Sequence, residues 1–158
     1  MNNLFHGLNA ISGATASILR VVTGFMLAWH GYRKFADGLD GFEGFLTFLE
    51  LPAPATLAVI VALVELVGGT LLAVGLMTRP AALVLVVHFA SIFFWVKLVK
   101  LDPVVLVGEE SPGVELDLLY LSLAAFFAST GAGPLSVDQV MGLDRSRVSD
   151  AERSMATV

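Results

Sequence analysis

Residues 51–78 read LPAPATLAVIVALVELVGGTLLAVGLMT, and Glu65 is the one charge in these 28 residues. A carboxylate alone in an apolar run of this length is costly at bilayer depth and calls for a partner, a proton or a task. The rest of the chain agrees with a membrane setting. Hydrophobic residues make up 56% of the sequence, and the mean hydropathy of +0.83 lies far from the balance of a soluble domain.

Three further segments resemble this one in length and apolarity. A spanning helix needs roughly 20 apolar residues to cross about 30 Å of hydrocarbon. The candidates run from about Ala14 to Phe35, Pro54 to Met77, Pro80 to Val99 and Val114 to Ala132. The first is the least uniform, with Arg20 inside it and Arg33 and Lys34 at its end. The reading is an all-α, integral membrane four-helix bundle. Between the first two spans, Phe42, Phe45, Leu46 and Leu49 fall at i, i+3, i+4 and i+7, the mark of a short amphipathic helix. It either lies in the membrane interface or packs against the bundle. Ser136 followed by Gln139 fits a capping box for one more short helix. One domain is expected over residues 1–138, with a polar tail over residues 139–158.

Several function classes drop out. The chain has no cysteine, which excludes disulfide relays, iron–sulfur clusters and thiolate metal sites. A net charge of −5 without a basic patch gives no reason to expect a nucleic-acid partner. Met1–Leu19 lacks the positive n-region of a signal peptide, so the first apolar segment is expected to stay in the mature protein. Rossmann and P-loop glycine patterns are missing. Haem held by His30 and His88 is disfavoured, because their depths differ by roughly 12 Å. Three scattered histidines make a poor metal site. Apart from Arg20 inside the first span, the lysines and arginines divide four against four between the two sides, so charge does not orient the chain.

Depth counting along the helices groups the polar residues. Measured from the side of the termini, Arg20 lies roughly 9 Å deep, His88 roughly 12 Å and Glu65 roughly 18 Å. An Arg20–Glu65 pair, joined by His88, is therefore expected to lower the cost of burying either charge. Such a pair either takes part in chemistry or only sets helix register. At the other side, Trp29, His30, Tyr32, Trp95, Lys97, Glu115, Asp117 and Tyr120 come together, with Lys34 and Arg33 in reach of Glu115 or Asp117. An aromatic belt with snorkelling lysines explains most of them. His30 and the paired acids fit a small-molecule pocket better. Two stripes, Arg20-Gly24-Leu27-Gly31-Lys34 and Glu65-Gly69-Leu72-Leu76, carry the glycines that let membrane helices approach closely.

Arg20-x-x-x-Gly24 with His30-Gly31-x-x-Lys34-Phe35 resembles the first-helix signature of the DoxX family. Glu65-x-x-Gly68-Gly69-x-x-Leu72 with Gly75-Leu76-x-Thr78-Arg79-x-Ala81 resembles its second. Glu115, Tyr120 and Gly131-x-Gly133-x-x-Ser136-x-Asp138 are similar to its fourth-helix ending. The likeness implies a multi-pass inner-membrane protein with cytoplasmic termini and a link to quinone-coupled redox. It carries over Arg20, His30, Lys34, Glu65 and Glu115 as candidate positions. The resulting expectation is a quinone-interacting subunit, using menaquinone or ubiquinone, beside other membrane redox subunits. Glu65, His88 and Arg20 are the catalytic candidates; Trp29, His30, Lys34, Trp95, Glu115 and Tyr120 are the cofactor-binding ones. No metal, haem or iron–sulfur group is expected, and homo-oligomers stay open. The alternative is a structural or assembly subunit of a larger redox complex.

Overall fold

The computed structural model describes residues 2–100 and 114–143; the connection at 101–113 and the tail from 144 lie outside the described residues. The described chain is all-helical. In order it forms α1 (Asn2–Ala36), α2 (Asp40–Phe48), α3 (Pro54–Val74), α4 (Thr78–Ser91), a π-helical continuation (Ile92–Lys100), α5 (Val114–Thr130) and the one-turn α6 (Val137–Val140). The amphipathic segment expected after the first span is α2, packed on α3. Helix α1 starts well before the expected span, already at Asn2.

Two of the four expected spans are long and apolar enough on their own to cross a membrane: Pro54–Val74, with mean hydropathy 2.5, and Thr78–Val96, with 1.8. The other two depart for visible reasons. Arg20 interrupts α1. Helix α5 has 17 residues, the short end of the spanning range, with Glu115 and Asp117 in its first turn. The burial pattern is nonetheless inside out for a soluble fold. Arg20, Thr23, Glu65 and His88 are buried, while Ile18, Phe25, Ile60, Leu83, Val87 and Leu119 face outward. That surface suits hydrocarbon rather than water.

Helix α1 packs most extensively on α3, and α4 on α5, with α3 against α4 joining the two pairs. Leu27, Leu72, Leu85, Phe89, Tyr120 and Phe127 form the central core. The α1–α3 seam is a close approach of two backbones. A Cβ placed on Gly24 would lie 2.6 Å from the Gly69 carbonyl oxygen, and one on Gly31 would lie 2.6 Å from that of Ala62. Neither neighbour is a flexible side chain, so the two backbones meet directly. As numbers rise along α1, the partners fall along α3; the pair is antiparallel, and these contacts fix its register.

Gly31→Val is expected to destabilise the protein by about 2 kcal/mol or more, since backbone cannot yield to the added atoms. Gly44→Val, where a side chain meets open space, is the control. Thermal unfolding in one detergent compares the two.

Candidate functional site

The register decides where each buried charge goes. Helical side chains lean toward the N-terminus of their own helix. Arg20 therefore leans toward the C-terminal end of α3, away from Glu65. Its Nη1 donates to the carbonyls of Leu72 and Ala73, both at 2.8 Å, and its Nη2 to Leu135 O at 2.9 Å. These are carbonyls left over where α3 stops. The helix ends at Gly75 in the left-handed region (φ 71°), with Gly75 N bonded to Leu72 O and Leu76 N to Leu71 O. A Cβ at Gly75 would collide with the guanidinium. The expected Arg20–Glu65 pair does not form. Ten residues of α3 separate Glu65 from Gly75, roughly 15 Å of helix.

Asp138 completes this end. Its carboxylate accepts from Met77 N at 2.7 Å and Thr78 N at 2.8 Å, capping α4, while Asp138 N donates to Gly75 O at 2.8 Å. Ser17 Oγ donates to Pro134 O in the same region. Ser136 Oγ accepts from Gln139 N at 3.2 Å as the capping motif requires, but the Gln139 side chain returns to Leu135 N rather than to Ser136 N. The result is a clamp joining α1, the α3–α4 turn and α6. Neither Asp138 nor Ser17 stood out in the sequence as part of it; a carboxylate two residues after a capping serine is a weak signal.

The partner of Glu65 is Lys34. The same lean that takes Arg20 away brings the Lys34 ammonium back down α1, where Nζ bonds Glu65 Oε2. The Lys34 ammonium also sits 5.2 Å from the centre of the Phe42 ring. His88 joins from α4, with Nε2 3.6 Å from Glu65 Oε1, longer than a hydrogen bond. Glu65 is 6% exposed and His88 8%. Opposite charges from α1 and α3 meet here, with an imidazole from α4 beside them.

This cluster forms the polar wall of a cavity of about 460 Å³. Apolar walls come from Phe42, Phe45 and Leu46 of α2, from Leu57 and Val61 of α3, and from Ile92, Trp95 and Val96 of the π-helical stretch. Asp117 contributes a second carboxylate. The expected site residues thus separate. Glu65, His88, Lys34 and Trp95 line the cavity. Trp29 lies on the outer surface of α1, beside Tyr32 at 5.5 Å. His30 is exposed, edge-on to Tyr120 at 6.3 Å. Tyr120 is buried and stacks on Phe89, which meets His88, so a run of rings links His30 to the cavity wall without opening onto it. Glu115 is exposed and off the cavity. Arg33 pairs with Asp37 at 2.7 Å rather than with Glu115 or Asp117.

The family model named DoxX matches residues 15–98, which include the seam, the clamp's Arg20 and Gly75, and the Lys34–Glu65–His88 cluster. The chain belongs to the DoxX family. It is also similar to an uncharacterized protein of Haemophilus influenzae, 30% identical over 131 residues that cover 77% of this chain and 87% of the relative. No solved structure matches it. DoxX membership and the apolar outer surface agree that this is a membrane protein. The DoxX-like motifs of the sequence divide between two places. Arg20, Gly75, Thr78 and Asp138 belong to the clamp, and Lys34 with Glu65 to the cavity.

Removing one partner of the buried pair leaves the other charge uncompensated, at a cost of about 3–5 kcal/mol. Lys34→Met is therefore expected to destabilise the protein strongly. Lys34→Met with Glu65→Gln together should recover most of the loss. Unfolding of the single and double variants in detergent tests this.

Proposed function

We propose that this DoxX chain is a membrane-embedded, quinone-interacting subunit of a redox or respiratory system. In this reading α1, α3, α4 with its π-helical continuation, and α5 all cross the inner membrane as a four-helix bundle with cytoplasmic termini. The observation that carries the proposal is the cavity: an apolar chamber, walled by aromatic side chains, with an ammonium, a carboxylate and an imidazole gathered on one wall. Ligand sites of small ring compounds share this composition, mostly apolar with a few convergent polar groups.

The residues present suit a quinone. Phe45, Leu57 and Trp95 offer flat and branched apolar surface to a ring and its tail. Lys34 has further N–H groups beyond the one spent on Glu65, and these can donate to a ring carbonyl. Glu65 and His88 are the groups that exchange protons when the ligand's charge changes. A quinone bound there supplies two-electron chemistry; this chain's residues hold it, keep bulk water out and handle protons. The chain has no cysteine and hence no thiolate-held iron–sulfur centre, so electrons enter from another membrane redox subunit.

Arg20 is assigned to the framework rather than to the chemistry, because its Nη1 and Nη2 bond three backbone carbonyls at the end away from the cavity. The same clamp is the observation favouring the second reading, a subunit whose role is structural, with the buried ion pair serving assembly alone.

Titration with decylubiquinone separates the two. In a Trp29→Phe background, Trp95 is the remaining tryptophan and reports on the cavity. Saturable quenching is expected, weakened about tenfold by Lys34→Met with Glu65→Gln, as loss of a charge-assisted bond predicts. Quenching that merely follows partition into empty micelles would favour the structural reading.

A further inference from the structure

The hydrogen-bonding capacity of the polar wall is lopsided. Glu65 carries two acceptor oxygens. Oε2 is taken by Lys34, and Oε1 faces His88 Nε2 at 3.6 Å, outside hydrogen-bond range. His88 Nε2 is correspondingly a buried nitrogen without a hydrogen-bond partner. A ligand carbonyl turned toward Glu65 Oε1 sets lone pair against lone pair. A hydroxyl there donates to Oε1, beside the buried imidazole of His88.

Resting on the quinone reading of this cavity, we propose that its polar wall selects the hydroxyl-bearing form of the ring. A quinol, or another apolar phenol, is held more tightly than the corresponding quinone or ether. Glu65 Oε1 is the specificity-determining atom. A carbonyl ligand keeps only the bonds that Lys34 can spare. The discrimination follows from what a hydrogen bond to a buried carboxylate requires and needs no conformational change in the protein. A site of this kind retains its reduced ligand after proton uptake and releases the oxidised form more readily.

The test uses ligands that do not change redox state. 4-Nonylphenol and its methyl ether, 4-nonylanisole, are titrated into the full chain in detergent, with Trp95 fluorescence in the Trp29→Phe background as readout. Partition into empty micelles is subtracted. The phenol is expected to bind at least about tenfold more tightly than the ether, the size of a charge-assisted hydrogen bond. In Glu65→Gln the gap should shrink to about threefold or less. Equal affinities in the unmodified pocket overturn the hydroxyl selection, and so does saturable binding of decylubiquinone with no binding of the phenol. If none of the three ligands saturates, the cavity is not a ring-binding site, and the quinone reading falls together with the selection. The comparison of phenol with ether stands without the Glu65 variant, should that variant fail to fold.

Discussion

Gly24, Gly31 and Gly69 let α1 and α3 approach until the backbone of one rests on the backbone of the other. Side chains between helices can repack, but a backbone lying against carbonyl oxygens has one register. That register sets Arg20 level with the end of α3 and Lys34 within reach of Glu65. Shifted by one turn, about 5.4 Å, Lys34 would miss the carboxylate and Arg20 would miss the exposed carbonyls. Both would then be buried charges without partners, the most expensive state in an apolar interior. Close packing and charge pairing therefore specify the same alignment.

The two ends of the molecule solve the burial of charge differently. At one end, Arg20 and Asp138 bond almost wholly to backbone: carbonyls at the C-terminus of α3 and N–H groups at the N-terminus of α4. Each charge is opposite in sign to the helix terminus it faces. This makes a joint in which every element has a fixed place. At the other end the charges bond to side chains and border a chamber. There α2 contributes three wall residues, and the backbone of α4 passes into its wider π-helical form beside Trp95. π-helical turns commonly occur at functional sites, and here the turn lines the cavity.

Much of this was legible in the sequence. Apolar runs and their breaks gave the helices, including the short α2, because period and punctuation carry that information locally. The glycine stripes announced the seam. Glu65 could be seen to need a cation, and His88 was correctly drawn to it. The wrong partner came from depth counting alone, which takes no account of the direction in which a side chain leaves its helix. The tilt of Cα–Cβ bonds toward the N-terminus sets that direction and exchanges Arg20 for Lys34. The cavity was less legible. Its walls come from α2, α3, the π-helical stretch and α5, so depth counting gathered Trp29, His30 and Glu115 with Trp95 and could not tell which faced inward. Asp138 stood in the fourth-helix motif, but its role was hidden for a related reason: its partners are main-chain N–H groups, which every residue but proline possesses.

The Arg20 clamp carries a consequence for how the protein tolerates change. Its acceptors are peptide oxygens of Leu72, Ala73 and Leu135, atoms that persist whatever side chains stand there. Drift at those three positions leaves the guanidinium's bonds intact as long as the main chain keeps its path. Gly75 enjoys no such latitude, since its positive φ and its missing Cβ are both required for the arginine to fit. The anchor thus imposes a shape on its surroundings while asking for almost no particular chemistry from them.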